Sequence, residues 1–349
     1  MVSAAGEAEK VGVVTAYFFL SGEHRTLPFA ELKAIAEGEG LRLEVLAKLD
    51  QAVIARCDVG LFEALRRRSS LVKFGGILLG VTEVSDGSSA LADAISTSAS
   101  EVGGAPPFGR LSFKRVKRYG KGVISYSDVV NALGKYVAGG EGPVLDIIVT
   151  EGVVIAGVRM FERNIRDLEK RSPQLRPVYL PGTMTPLWCR VFVNLSRAGP
   201  KRPFIDPFCG VGGFLIEACF MGLKYFGSDI SWKHVSGART NLLYYGCVPA
   251  VAVADARHPP LREAVAIGTD PPYGRMTRAG GTNDLRELMR DFLSSIAELM
   301  RPGAYLAFAQ RQDLDVESLV RDAGLRIVER HMNWVHGSLT RDIFVVIKP

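Results

Sequence analysis

From residue 203 onward the chain alternates short apolar runs with amphipathic stretches, a rhythm that few folds can accommodate. Runs at 204–209, 224–230, 250–255, 264–269 and 305–310 read as strands, and 213–221, 232–245, 283–300 and 316–323 as helices. A helix between two strands makes them parallel and covers a face of the sheet. The last two runs, 325–334 and 343–348, leave no room for a full helix between them. They predict a hairpin that sets an antiparallel strand in an otherwise parallel sheet. The expectation is a seven-stranded, Rossmann-like α/β domain.

The first half is organised differently. Apolar runs at 11–20, 41–46, 51–57 and 73–81, with helical spacing at 28–37 and 61–67, follow the order βαββαβ of a ferredoxin-like α+β unit. A small-residue stretch at 86–100 starts a second unit. It holds a helix at 91–98, a basic strand at 111–118, a helix at 128–137 behind a Ser127 cap, and strands at 144–149 and 153–158. A highly charged segment containing Pro173 reads as a linker. At 349 residues the chain exceeds one ordinary core, and the expected division is 1–84, 85–160, linker 161–175 and 176–349.

Charge and cysteine usage narrow the class. Lys and Arg outnumber Asp and Glu by 43 to 37, a mild excess whose placement matters more than its sum. The five cysteines are scattered and without Cys-x-x-Cys spacing, which predicts neither disulfides nor a zinc site and fits a reducing cytosol. The apolar run at 11–20 has Glu7 and Glu9 before it and Glu23, His24 and Arg25 after it, the wrong flanks for a signal peptide. No run is long enough to span a bilayer, so a cytoplasmic protein is expected.

The segment Asp206-Pro-Phe-Cys-Gly-Val-Gly-Gly-Phe214 follows a strand and opens a helix. Gly210, Gly212 and Gly213 let the backbone approach a ligand at the end of the first strand of the domain. A dinucleotide fingerprint would need glycine where Leu215 stands, and Asp206 would repel a pyrophosphate. The ligand that suits this loop is a cation or zwitterion, such as the amino-acid end of S-adenosyl-L-methionine. Asp229 ends the second strand, where an acid can accept both ribose hydroxyls, and Asp255 ends the third, within reach of an adenine amino group. The plainer reading makes these acids ordinary caps before helices; three in order at three successive strand ends argue otherwise.

After the fourth strand comes Asp270-Pro-Pro-Tyr-Gly274. An exocyclic base amine is a poor nucleophile because its lone pair is delocalised into the ring. Two acceptors, the Asp270 carboxylate and the Pro271 carbonyl, can bind its two N–H groups and turn the lone pair outward. Pro271 and Pro272 stiffen the loop and bring no N–H of their own. Tyr273 offers a flat face for a base taken out of its helix. The same tetrad is also a good turn sequence; its place behind the fourth strand favours the chemical reading.

Between residues 110 and 121 lie Arg110, Lys114, Arg115, Lys117, Arg118 and Lys121, with Phe113 and Tyr119 interleaved and no acid. Residues 66–68 and Lys73 form a second basic cluster. Both suit phosphate contact, against the alternative of a solvated sheet edge.

Together the loop, the three acids and the tetrad resemble the Rossmann-fold N-methyltransferases. The segment Arg176-Pro-Val-Tyr-Leu-Pro-Gly-Thr-Met-Thr-Pro186, continuing to Arg190 and Asn194, resembles the THUMP-domain tRNA guanine-N2 methyltransferases, nearest to the archaeal tRNA (guanine(10)-N2)-methyl/dimethyltransferase family. The resemblance covers roughly residues 85–349 and is tightest over 176–275. It implies S-adenosyl-L-methionine as the sole cofactor, held by Asp206, Phe208, Cys209, Gly210, Gly212, Gly213, Asp229, Ile230, Asp255 and Ala256, with Thr183 and Pro186 bordering it. It implies catalysis by Asp270, Pro271, Pro272 and Tyr273 and a THUMP domain gripping tRNA. A monomer without metal or membrane is expected, with a protein partner subunit left open. Val211 departs from the small residue usual in the family, at a position that contributes backbone. Competing readings are N2 methylation at another tRNA or rRNA site, a DNA adenine-N6 methyltransferase, and a non-catalytic RNA-binding protein. Asp270 argues against protein-glutamine methyltransferases, which favour Asn there.

Overall fold

A computed structural model of the chain describes residues 12–101, 108–273, 285–336 and 339–349. It divides into two compact units. Unit 1 comprises residues 1–23, 41–66 and 72–163, and unit 2 comprises 24–40, 67–71 and 164–349.

The first stretch runs β1 (Val13–Leu20), α1 (Leu27–Glu39), β2 (Leu43–Leu49), β3 (Ala52–Asp58), α2 (Gly60–Arg68) and β4 (Val72–Glu83). It continues with α3 (Gly87–Glu101), β5 (Arg110–Arg115), α4 (Tyr126–Leu133), β6 (Val144–Thr150) and β7 (Val153–Glu162). All seven strands join one sheet in the order β2-β3-β1-β4-β7-β6-β5. The first four stand in the ferredoxin-like arrangement, and β4 then pairs with β7. The boundary expected between residues 84 and 85 thus falls inside a continuous sheet, because β4 and β7 exchange a full antiparallel ladder. The basic strand is shorter than expected: β5 ends at Arg115, and Lys117 sits in a turn with φ of 50°. Helix α4 starts earlier than expected. Its cap is Ser125, which accepts from the Asp128 N–H while Asp128 accepts from the Ser125 N–H.

Helix α1 clusters with unit 2. Its Leu27, Ala30 and Ala34 join a core that includes Phe192, Phe204 and Phe214. Where it ends, Gly38 crosses the 198–199 backbone so closely that a Cβ on Gly38 would stand 2.5 Å from the Ala198 carbonyl oxygen. Only glycine fits that crossing.

Unit 2 proper begins with α5 (Ile165–Glu169) and α6 (Pro186–Leu195), then β8 (Phe204–Asp206), α7 (Gly213–Phe220), β9 (Tyr225–Asp229), α8 (Trp232–Tyr244) and β10 (Val251–Val253). It closes with β11 (Ala264–Thr269), α9 (Leu285–Leu299), β12 (Met300–Arg311), α10 (Val316–Asp322), β13 (Arg326–His336) and β14 (Leu339–Ile347). The strand order is β10-β9-β8-β11-β12-β14-β13, and β14 alone runs antiparallel to the rest, pairing with β12 on one side and β13 on the other. This is the seven-stranded sheet expected, with the hairpin at its edge. One apolar cluster gathers α6 and α7 residues on one face; a second, built on Phe292, Ile296, Phe308 and Phe344, gathers α9 and α10 on the other.

Two expectations change here. The 161–175 segment is not a free tether: Leu168 is buried, and buried Arg171 donates to both oxygens of Glu217 at 2.8 and 3.0 Å. The cysteines are not all free: Cys219 on α7 and Cys247 beyond α8 form a disulfide across 28 positions. Their spacing carries no recognisable pattern; only the return of α8 past α7 brings the two sulfurs together.

Candidate active site

The strand order reverses at β8, which lies between β9 and β11, and a crevice at such a switch point is where open α/β sheets bind ligands. Both chemical segments singled out from the sequence leave the sheet there, Asp206 at the end of β8 and Asp270 directly after β11.

Asp206 is 2% exposed, and its Oδ1 accepts from the Thr269 hydroxyl at 2.7 Å and the Phe208 N–H at 3.1 Å. Burial pushes its carboxyl up to about 8, the Thr269 and Phe208 bonds pull the other way, and the Asp229 and Asp270 charges add to the rise. A buried acid in that state is ready to be ionised by an arriving cation. The loop beyond it turns through left-handed glycines, Gly210 at φ 51° and Gly212 at φ 86°, and a Cβ on Gly210 would meet nothing within 4 Å. Cys209 and Gly213 are buried beside it, and Phe208 packs edge-on against Phe292.

Asp229 organises this loop. Its Oδ2 accepts from the Gly210 N–H at 3.0 Å, while Oδ1 accepts from the Ser231 N–H at 2.8 Å and lies 3.1 Å from His234 Nδ1. Ile230 beside it is 45% exposed, offering an apolar surface at the rim. Asp255 is held by its neighbour: Arg257 clamps the carboxylate with Nε at 3.0–3.1 Å and Nη2 at 2.6 Å, and this bond keeps its carboxyl below the usual range. Ala256 is buried in the α9 core. Thr183 donates to the Leu180 carbonyl, and its methyl lies 3.9 Å from where a Gly213 Cβ would be; Pro186 starts α6. Buried acid, open glycine turn and the partly buried Asp229 suit a zwitterionic nucleoside, so these residues fit S-adenosylmethionine.

At the tetrad the Tyr273 hydroxyl donates to Asp270 Oδ1. Arg341, from β14, donates through Nη1 to Tyr273 Oη at 2.8 Å and reaches Asp270 Oδ1 at 3.4 Å. Burial raises the Asp270 carboxyl, and Arg341 and Tyr273 oppose that rise. The loop is fixed from β12, where Gln310 donates to the Pro272 carbonyl and Arg311 to that of Tyr273, each at 3.4 Å. Arg341, Gln310 and Arg311 carry no signal in the sequence; they reach the tetrad only because β12 and β14 pair beside β11. Gly274 lies outside the described residues.

The basic residues of unit 1 differ among themselves. Arg110, Lys114, Arg118 and Lys121 are exposed. Arg115 is half-buried, bonded to the Ile124 carbonyl and set over Phe113, and Lys117 pairs with Asp50 at 2.6 Å. The second cluster does not hold together as a phosphate site. Arg68 is fully buried and paired with Glu39 at 2.7 Å, and Lys73 lies over the Phe19 ring. Among the described residues no group of side chains could hold a metal, and no helix is long and apolar enough to cross a membrane.

Known proteins share this architecture. The RMKL-like methyltransferase domain family matches residues 173–343. A tRNA (guanine(10)-N2)-dimethyltransferase of Methanothermobacter thermautotrophicus is 31% identical over 94% of this chain and 97% of its own length. Another, from Pyrococcus abyssi, is 36% identical over 54% of this chain and 57% of its own. The crystal structure of TrmN from Thermus thermophilus is similar in fold, with a TM-score of 0.51 at 21% identity, covering 96% of this chain and 100% of that one. The chain belongs to the tRNA (guanine(10)-N2)-dimethyltransferase family.

Proposed function

We propose that the protein transfers methyl groups from S-adenosylmethionine to N2 of a guanosine in tRNA, the one at position 10, giving N2-methylguanosine and then N2,N2-dimethylguanosine. The observation that carries the chemistry is the asymmetry of Asp270. Tyr273 and Arg341 both engage Oδ1, and Oδ2 has no partner among the described residues. Oδ2 therefore accepts one amine N–H, and the Pro271 carbonyl accepts the other. The Pro272 carbonyl is already bonded to Gln310 and does not compete.

The cofactor supplies an electrophilic methyl group on a sulfonium. Asp206 would hold the ammonium end and give up its own proton to do so. Asp229 and the glycine loop receive the ribose; for Asp255 to reach the adenine amine, Arg257 must share its carboxylate. An amine held between Asp270 and the Pro271 carbonyl would present its lone pair to that methyl group, and Asp270 would take the proton released. Positioning in a dry site supplies most of the rate, because the methylated amine is acidic and needs no strong base. The exposed basic edge near β5 is the assigned tRNA contact, and the protein is taken to act as a cytoplasmic monomer. The test is nucleoside mass spectrometry on unmodified tRNA after incubation with protein and donor. N2-methylated guanosine supports the assignment; N6-methyladenosine, or an unchanged nucleoside profile, overturns it.

A further inference from the structure

Beside α7 stands a guanidinium whose terminal nitrogens find no partner among the described residues. Arg176 is 5% exposed, and its Nε donates to the Arg171 carbonyl at 3.0 Å. Its Nη1 and Nη2 are both buried and bond to no group among the described residues. The nearby carboxylate is already committed: Glu217 receives Arg171 on both oxygens and Arg190 on Oε2 at 2.7 Å. A guanidinium does not shed its proton, so an unpaired one is costly to bury.

Its position says what it waits for. A Cβ on Gly213 would stand 3.2 Å from Arg176 Nη1, so the guanidinium lies against the first residue of α7. That helix is capped by Gly212, which has no side chain to satisfy the first-turn N–H groups. The first turn of α7 and the guanidinium beside it both offer N–H donors suited to an oxyanion.

We infer that Arg176 binds a carboxylate, that of the donor's methionine end, across the glycine loop from Asp206. This rests on the donor assignment above. It divides the zwitterion between two buried side chains of opposite charge, Asp206 for the ammonium and Arg176 for the carboxylate. It also explains why the Arg-Pro lead-in belongs with the cofactor loop: the residues from Arg176 to Thr183 bring the guanidinium and the Thr183 turn to α7 together.

The test uses the full chain and two stable ligands, S-adenosylhomocysteine and its decarboxylated form, which keeps the ammonium and lacks the carboxylate. Calorimetry on wild type should show the decarboxylated ligand binding about 10- to 100-fold more weakly, the range for one charge-assisted contact. In Arg176→Met the two ligands should bind alike, at the level of the weaker one. Arg176→Lys, which keeps a cation, should restore part of the difference. Equal binding of both ligands by wild type overturns the inference without needing any variant to fold. A wild-type preference that persists undiminished in Arg176→Met also overturns it. Failure of wild type to bind S-adenosylhomocysteine at all would instead sink the donor assignment itself.

Discussion

Asp270 and Arg341 are 71 positions apart in the chain and 3.4 Å apart in the folded protein, joined through the Tyr273 hydroxyl. From β14 the arginine meets both Asp270 and Tyr273 of the tetrad loop. The pair holds one carboxylate oxygen still and leaves the other for the amine. Asp270→Ala should therefore lower the transfer rate by ~10²-fold or more, as for other preorganised polar partners, with donor affinity unchanged. Wild-type turnover in that variant would sink the mechanism.

Arg341→Met separates orientation from charge. Arg341 opposes the rise that burial imposes on the Asp270 carboxyl, so its loss lets that carboxyl rise further. Because only the ionised form accepts the amine proton, the acidic limb of the rate profile should move to higher pH. Rates measured across pH under saturating donor check this, and an unshifted limb counts against Arg341 as the positioning residue.

Asp206 predicts a pH-dependent stability. Its folded carboxyl lies near 8, above the ordinary value of about 3.9. An acid raised on folding favours the folded state while protonated. That contribution is complete below the ordinary range and fades as pH climbs through about 8. Asp206→Asn stays neutral throughout, so its melting temperature should gain on wild type between about pH 5 and about pH 9. A constant gap across that window would show that the carboxyl is already ionised in the free protein. Donor binding should weaken in the same variant.

The Cys219–Cys247 disulfide closes a loop across 28 positions that includes β9 and α8. Chain entropy alone assigns such a closure about 3–4 kcal/mol. Reductant should lower the melting temperature of wild type and leave the Cys219→Ser, Cys247→Ser double variant unmoved. If both respond alike, the staple contributes nothing to stability.

The basic edge should not respond uniformly. Replacing the exposed Arg110, Lys114, Arg118 and Lys121 together by alanine should weaken tRNA binding and flatten its salt dependence, since fewer counterions are released. Lys117→Ala should do less, because Lys117 is already paired with Asp50. Filter binding at several salt concentrations distinguishes the two, and equal slopes for wild type and the fourfold variant would remove this edge from the tRNA contact.

Sequence alone determined the α/β class of the second half, the hairpin at its edge and the order of its ligand-side residues. These depend on local period, on strand-to-helix turns and on motifs whose members sit within a few positions, such as 206–214 and 270–273. The ferredoxin-like order of β1 to β4 was legible for the same reason. What the residues 66–68 do was not, because Arg67 and Arg68 both pair with Glu39 and only the fold decides that Arg68 is the one fully buried. The continuous sheet across residue 84, the capture of α1 by unit 2, and the disulfide all depend on which surfaces meet, and no local period encodes that. The partners of the tetrad belong with them. Arg341 reaches Asp270 only because β14 inserts antiparallel beside β12, and Arg176 keeps its terminal nitrogens unpartnered among the described residues while Arg171 and Arg190 occupy Glu217. Spacing along the chain decides local geometry; charge pairing across it is decided when the tertiary fold excludes water and leaves each buried ion with only its nearest neighbours.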